Sequence, residues 1–149
     1  MSGIRRVIAQ RMCESAFSAP TVTYCTDVDM SAVKEMREKL NGALSAENRK
    51  VSVNDLIIKG VAAALRESPE INVSLEGEDI CYRSEVNIGM AVATDRGLLV
   101  PVIRGADGLG ILEIAAQTRE LAQKAREGRL GGEDMTGGSF TVSNLGMLE

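Results

Sequence analysis

Residues 86–102, VNIGMAVATDRGLLVPV, contain two apolar runs separated by a turn signal. The turn signal is Asp95-Arg96-Gly97, which ends in the residue that most readily adopts a positive φ. Apolar runs of this length predict strands that are buried on both faces of a sheet. Pro101 lacks a backbone N–H, so the second run cannot form an ordinary central strand. The stretch therefore predicts two consecutive strands of a buried sheet.

Helices and further strands surround this stretch. Apolar residues at helical spacing predict four helices, at residues 4–17, 32–44, 51–67 and 111–128. Strand patterns occur at residues 21–30, 71–75, 79–83 and 139–146. The order is helix, strand, helix, helix, hairpin, two strands, helix, strand, which predicts an α/β fold with a mixed β-sheet and helices packed on it. Since no repeat or linker divides the chain, residues 1–149 are expected to form a single domain.

Three predicted elements are each expected to bury one apolar face. The face of the first helix consists of Ile4, Val7, Ile8, Met12 and Ala16. The stripe of the second helix consists of Val33, Met36 and Leu40. In the strand predicted at 21–30, apolar residues alternate with polar ones, so one face of that strand is expected to pack against the domain.

The ends of three helices also carry signals. Ser31 is expected to be the N-cap of the second helix. Ser52 and Asp55 have the spacing of a capping box at the start of the third helix. Gly128 is expected to follow the C-cap of the fourth helix in a left-handed conformation.

Composition limits the class of protein. With 149 residues, 44% of them hydrophobic, the chain is long enough to bury one core. Its formal net charge of −4 argues against binding to nucleic acid. No run of about 18 apolar residues and no signal-peptide pattern occurs, so we expect a soluble cytoplasmic protein without a membrane partner.

The chain has three cysteines and no histidine. Cys13, Cys25 and Cys81 are odd in number and widely spaced, which argues against a disulfide framework and against a zinc site, so no metal is expected. The absence of histidine removes the commonest general base near neutral pH. If the chain is part of an enzyme, its base lies outside this sequence.

Ser143 and Asn144 follow the last predicted strand. Considered locally, serine and asparagine at the end of a strand favour a turn closed by side-chain hydrogen bonds to the backbone. A catalytic or binding role is the alternative.

Three stretches together carry a family resemblance: residues 87–108 (NIGMAVATDRGLLVPVIRGADG), residues 113–146, which end in GGSFTVSNLG, and SPEINVSL at 68–75. The chain resembles the catalytic domain of the dihydrolipoamide acyltransferases, the E2 components of 2-oxo acid dehydrogenase complexes. The resemblance runs from Ile4 to about Gly146. It implies a chloramphenicol acetyltransferase-like fold, a mixed sheet with helices on one side.

The resemblance also implies a reaction and its residues. Members of this family move an acyl group between dihydrolipoamide and coenzyme A, and the lipoyl group is carried on a separate lipoyl domain. The pattern assigns the hydroxyl that stabilises the oxyanion to Ser143. Arg37, Ser52 and Asn144, together with Ser143, match positions that contact coenzyme A in the family. The planar guanidinium of Arg37 suits a phosphate group.

The same resemblance implies an assembly and a missing part. The expected partners are the lipoyl domain, the E1 and E3 components, and two further copies that form a homotrimer within a larger core. Residues 1–149 correspond to the N-terminal two-thirds of the family's catalytic domain. The family's general base, a histidine in an H-x-x-x-D-G motif, follows in the remaining third. These residues alone are therefore expected to be inactive, and a non-catalytic scaffold or coenzyme A-binding module is the alternative function.

Overall fold

The computed structural model describes residues 3–18, 20–95 and 97–146. Its helices are α1 (Gly3–Ser18), α2 (Ser31–Ala43), α3 (Val53–Glu67) and α4 (Ile111–Arg126). Short 3₁₀ turns occur at Ser45–Glu47, Pro69–Ile71 and Glu133–Met135. All four predicted helices are therefore confirmed. Within the described residues, no helix is long and apolar enough to cross a membrane.

The strands form one mixed sheet and two hairpins. They are β1 (Val73–Glu76), β2 (Asp79–Tyr82), β3 (Ile88–Met90), β4 (Val92–Thr94), β5 (Gly97–Leu99), β6 (Val102–Ile103) and β7 (Phe140–Val142). The mixed sheet has the order β6-β3-β7, with β3 antiparallel to β6 and parallel to β7. Strands β1 and β2 form the predicted hairpin, and β4 pairs with β5. The predicted mixed α/β architecture is confirmed.

The stretch 86–102 is more divided than its apolar pattern predicts. Each predicted strand is split in two, because β4 and β5 leave the mixed sheet and form a hairpin of their own. Pro101 lies between β5 and β6, and its carbonyl accepts a hydrogen bond from the Met90 N–H at 2.8 Å. Pro101, which has no N–H to donate, thus contributes only its carbonyl acceptor and lies next to the edge strand β6. Arg96, in the predicted turn, lies outside the described residues.

The core lies where α3 and α4 pack against the mixed sheet. Ile58 of α3, Ile88 of β3, Ile103 of β6 and Ile114 of α4 are all fully buried. They belong to one cluster of buried apolar side chains. The centre of the domain is thus built from residues 58–125, which carry all the buried residues of that cluster.

Asn87 connects the mixed sheet to the glycine-rich loop before β7. Its side chain accepts a hydrogen bond from the Gly105 N–H at 2.8 Å and donates one to the Gly137 carbonyl at 3.0 Å. The Ser139 N–H donates to the Asn87 carbonyl at 2.8 Å. Both glycines have a positive φ, which allows the backbone to turn toward Asn87. These bonds set where β7 begins.

The first thirty residues differ from the sequence prediction. The strand expected at 21–30 is wrong, since residues 20–30 form neither a helix nor a paired strand. Tyr24 is 91% exposed there. Helix α1 forms as predicted, but its apolar face is not buried, and Met12 is 62% exposed. Alternation and helical spacing predict which face is apolar, but burial also requires a neighbouring surface, and none of the described elements covers these faces. The Ile4 side chain lies outside the described part.

Helix α2 also departs from two predictions. Its stripe is not buried, since Val33 and Leu40 are half-buried and Met36 is exposed. Ser31 is the first residue of the helix rather than its N-cap. Its backbone N–H donates to Asp29 Oδ1 at 2.9 Å, so the aspartate takes over the role expected of the serine. Hydrogen bonds from the Ser31 side chain and backbone hold the pKa of Asp29 below its usual value.

Two helix-end predictions are confirmed. Ser52 and Asp55 form a complete capping box at the start of α3. Gly128, with a φ of 68°, follows the C-cap residue Glu127 of α4. The Arg129 N–H then donates to the Lys124 carbonyl at 2.8 Å, which closes the end of the helix.

Candidate active site

An open cleft of about 630 Å³ lies between the start of α3, α2 and one face of α4. We call it the basic cleft, because its lining includes the four cationic side chains Arg37, Lys50, Arg119 and Arg126. Within the described part of the chain, none of the four forms an ion pair, although the protein as a whole is acidic. Among the described residues, Asp55 contributes the only carboxylate of the lining. The basic cleft is therefore an electropositive region of an acidic protein, which suits an anionic ligand.

The start of α3 forms one wall of the basic cleft. The Asp55 N–H donates to Ser52 Oγ at 3.1 Å, and the Ser52 N–H donates to Asp55 Oδ2 at 2.7 Å. The second carboxylate oxygen, Asp55 Oδ1, accepts a hydrogen bond from Thr118 Oγ1 of α4 at 2.7 Å. Asp55 is only 4% exposed, and a buried charge needs compensation. These donors and the positive end of the helix dipole provide it. The Ser52 hydroxyl accepts one bond there and keeps its own hydrogen available to a ligand.

Arg37 lies on the opposite wall and is half-buried. Its Nε is buried and has no hydrogen-bond partner within the described residues. A buried donor without a partner is costly, so its presence in a cleft is typical of a group that binds a ligand. A phosphate oxygen is an acceptor that a guanidinium binds well.

A smaller cleft of about 260 Å³ adjoins the basic cleft. We call it the serine cleft, since Ser143 and Asn144 line it after the end of β7. Its other walls are mainly apolar and include Met90, Val92 and Val142. The serine cleft thus combines a hydroxyl with a space suited to a small uncharged group.

The two clefts form one continuous depression. Asn54, Met90, Ala122 and Arg126 line both of them. The structure therefore brings together all four residues that the sequence singles out, with Arg37 and Ser52 in the basic cleft and Ser143 and Asn144 in the serine cleft. Their roles in binding and catalysis stay predictions.

Sequence reasoning missed several polar residues of this depression, including Lys50, Asn54, Arg119 and Arg126. The two arginines were detectable, because Ala115, Arg119, Ala122 and Arg126 recur at helical spacing and form one stripe of α4. A stripe of arginines separated by alanines leaves the guanidinium groups accessible. Lys50 and Asn54 flank Ser52 in sequence, but nothing in their local pattern indicates that they face the same cleft.

The whole chain, residues 1–149, matches the family model described as 2-oxoacid dehydrogenases acyltransferase (catalytic domain). The chain belongs to this acyltransferase family. It is 38% identical over 148 residues to the dihydrolipoyllysine-residue acetyltransferase component of the pyruvate dehydrogenase complex of Zymomonas mobilis, covering 99% of this chain and 34% of that protein. It is 44% identical over 147 residues to the mouse mitochondrial pyruvate dehydrogenase protein X component, covering 99% of this chain and 28% of that protein.

Solved structures of this acyltransferase family have the same fold. The dihydrolipoamide acetyltransferase of Azotobacter vinelandii superposes with a TM-score of 0.93 at 35% identity, covering 99% of this chain and 62% of that chain. That structure was studied for the role of one serine, one histidine and one asparagine in the enzyme's catalytic mechanism. The predicted acyltransferase fold is confirmed. This chain spans about a third of the length of the curated acyltransferase relatives.

Proposed function

We propose that this chain forms the coenzyme A surface and the oxyanion-binding part of an acyltransferase that moves an acyl group between lipoyl-lysine and coenzyme A. The observation that supports the proposal is the continuity of the basic cleft with the serine cleft. Phosphates need the cationic end of such a depression, whereas a thioester needs a hydroxyl in a less polar space. Coenzyme A, which has phosphates at one end and a thiol at the other, fits this division.

The residues of the basic cleft have the donors that coenzyme A requires. Arg37, with its unpartnered Nε, Lys50 and Arg126 are available to phosphate oxygens. The Ser52 hydroxyl can donate one further hydrogen bond from the start of α3. In this arrangement the phosphates are held at one end of the depression and the thiol extends toward Ser143.

The chemical step follows from that arrangement. A general base removes the proton of the attacking thiol, and the thiolate forms a C–S bond to the carbonyl carbon of the acyl thioester. The carbonyl oxygen becomes an oxyanion, which accepts a hydrogen bond from the Ser143 hydroxyl. The tetrahedral intermediate then breaks its bond to the other sulfur, which leaves as a thiolate and takes up a proton. The sequence contains no histidine, so the base is contributed by another segment or subunit.

The proposed partners follow from the same reaction. The acyl group arrives on a lipoyl domain. The E1 component transfers the acyl group to the lipoyl group, and the E3 component reoxidises the dihydrolipoyl group that remains after acyl transfer. Three copies of the catalytic domain form a trimer of a larger cytoplasmic core. In that assembly a neighbouring copy is a source for the missing base.

The test uses the full-length assembled protein, acetyl-coenzyme A and dihydrolipoamide, with formation of S-acetyl-dihydrolipoamide as the readout. We expect turnover. We also expect Arg37→Gln to weaken the binding of coenzyme A by a different factor from that of dephospho-coenzyme A or pantetheine, because a lost phosphate contact matters only when the phosphate is present. Arg66→Gln, on the exposed surface of α3 outside both clefts, is the control. Equal affinity of wild type and Arg37→Gln for all three ligands would contradict the phosphate contact.

A scaffold that keeps the fold without turnover is the second candidate function. The absence of histidine from these 149 residues favours it when they act alone. In that case coenzyme A still binds in the basic cleft, but no acyl transfer follows. Acyl transfer by the assembled protein that is lost when its general base is removed would support the acyltransferase over the scaffold.

A further inference from the structure

Asn54 lies at the junction of the basic cleft and the serine cleft. It is the second residue of α3 and is 7% exposed. Its Oδ1 accepts a hydrogen bond from Asn144 Nδ2 at 3.4 Å, which is slightly longer than the usual range for such bonds. Its own Nδ2 donates no hydrogen bond to any residue in the described part of the chain. Asn54 therefore connects α3 to the segment that carries Ser143.

That segment has few other attachments. The last ladder bond beside β7 is donated by the Ala91 N–H to the Val142 carbonyl at 3.0 Å. Beyond Val142, Asn144 Oδ1 accepts from the Gly146 N–H at 3.0 Å, which closes a local turn. Within the described residues, the bond to Asn54 is the only side-chain hydrogen bond that connects residues 143–146 to another element.

Asn54 is itself held firmly. Its neighbour Asp55 takes part in the capping box and also accepts the hydrogen bond from Thr118 on α4. The start of α3 is thus fixed both within the helix and to a second helix. A side chain projecting from this position can serve as a fixed reference for a loop.

We propose that Asn54 is a positioning residue for Ser143, acting through Asn144. This inference rests on the catalytic role of Ser143 in the proposed function. Ser143 lies between the ladder bond at Val142 and the amide of Asn144, so the contact with Asn54 limits the movement of the backbone from which the Ser143 hydroxyl projects. A hydroxyl that must meet a developing oxyanion loses effectiveness when it is misdirected by a fraction of an ångström. Loss of Asn54 should therefore lower kcat rather than raise the KM for coenzyme A.

The test is a double-mutant cycle in the full-length assembled protein, using Asn54→Ala, Asn144→Ala and the double variant. Asn54→Ala is expected to lose about five- to tenfold in kcat, with the KM for coenzyme A changed by less than about twofold. Asn144→Ala should lose a similar factor in kcat and should also raise that KM, because Asn144 is a predicted coenzyme A contact. Because the two residues act through one contact, the double variant should be no slower than the slower single variant. A double variant in which the two kcat losses multiply would overturn the proposal.

Amide hydrogen exchange gives a readout that does not depend on the reaction. In Asn54→Ala, the Gly146 N–H should exchange faster, because the Asn144 side chain that accepts its hydrogen bond is no longer anchored. Asn72→Ala is the control, since Asn72 is also buried but donates to the Arg83 and Glu85 carbonyls outside both clefts. It should lower stability without changing exchange at Gly146. Unchanged exchange at Gly146 in Asn54→Ala overturns the positioning role, whereas full kcat in Ser143→Ala contradicts the proposed catalytic role of Ser143 itself.

Discussion

For Ser143, a catalytic role and a purely structural role predict different effects of substitution. It is exposed, follows β7 directly and lines the serine cleft. If its hydroxyl donates to the oxyanion, the bond strengthens as charge develops, so Ser143→Ala should lower kcat by roughly 10²-fold with KM nearly unchanged. If it only caps a turn, the same change costs about 1 kcal/mol of stability and leaves the rate intact.

Steady-state kinetics and thermal unfolding of one Ser143→Ala preparation of the assembled enzyme decide between these outcomes. Ser143→Thr is a useful companion variant, because it keeps a hydroxyl and should retain part of the activity. A folded Ser143→Ala enzyme with nearly full kcat would remove Ser143 from the catalytic residues.

Asp55 illustrates a residue whose importance is structural although it lines the basic cleft. Asp55→Ala removes the bond that the Ser52 N–H donates to the carboxylate and leaves the Thr118 hydroxyl with only the Ala115 carbonyl as an acceptor, whereas the bond from the backbone N–H of position 55 to Ser52 Oγ is kept. We expect a loss of about 2–3 kcal/mol in the free energy of unfolding, measured by urea denaturation. Thr118→Val removes the bond between the helices, keeps the bond from the Ser52 N–H to the carboxylate and should cost about 1 kcal/mol. Equal costs for the two variants would show that the bond from Ser52 to the Asp55 carboxylate contributes nothing.

At the scale of elements, sequence predicts what local chemistry decides. The capping box of α3, the glycine at the end of α4 and the β1–β2 hairpin are all set by residues close together in the chain, and all are confirmed. The division of residues 86–102 into four short strands is not decided by residues close together in the chain. It depends on β7, whose register pairs Ile88 with Phe140, and on Pro101, whose carbonyl is an acceptor for β3. A pattern of apolar residues contains no information about such distant partners.

Gly89 is an element-scale constraint that follows from that pairing. It lies in β3 between β6 and β7, and a Cβ added there would come within 2.8 Å of Val100 Cγ1 and 3.2 Å of Thr141 Oγ1. Gly89→Val should therefore destabilise the protein by about 1–3 kcal/mol through overpacking. Gly60→Val, on the exposed side of α3 where an added Cβ meets nothing within 4 Å, provides the comparison. Denaturant midpoints that fall equally in both would argue against a tight contact at β3.

At the scale of the whole molecule, exposed apolar residues are concentrated in the first thirty positions. Phe17 is 90% exposed, and Val22 and Val28 are also well exposed. The helical pattern identified the apolar face of α1, whereas the strand expected at 21–30 is absent, and the burial expected of both segments was wrong because no described element covers them. The candidate site also shows that a sequence pattern does not identify distant neighbours. Its four predicted residues lie in one depression, yet the pattern did not indicate that Asn54 or Lys50 joins them.

These faces lead to a prediction about association. Residues 1–149 expressed alone should bind an apolar fluorescent dye or form oligomers, because soluble monomers rarely expose so many large apolar side chains close together. Light scattering and dye fluorescence provide the measurement. A variant with Val7, Met12 and Phe17 changed to serine should show less of both. A sharp monomeric peak without dye binding in the unaltered chain would contradict this prediction.

The parallel pairing of β3 with β7 also has a consequence for the order of events during protein synthesis. Because Ile88 pairs with Phe140, β7 can dock only after α4 and the loop that follows it have left the ribosome. The core of α3, α4, β3 and β6 is translated earlier and can assemble first. The hydroxyl of Ser143 is thus among the last groups to reach its place, and the nascent chain acquires its buried interior before it acquires this part of its chemistry.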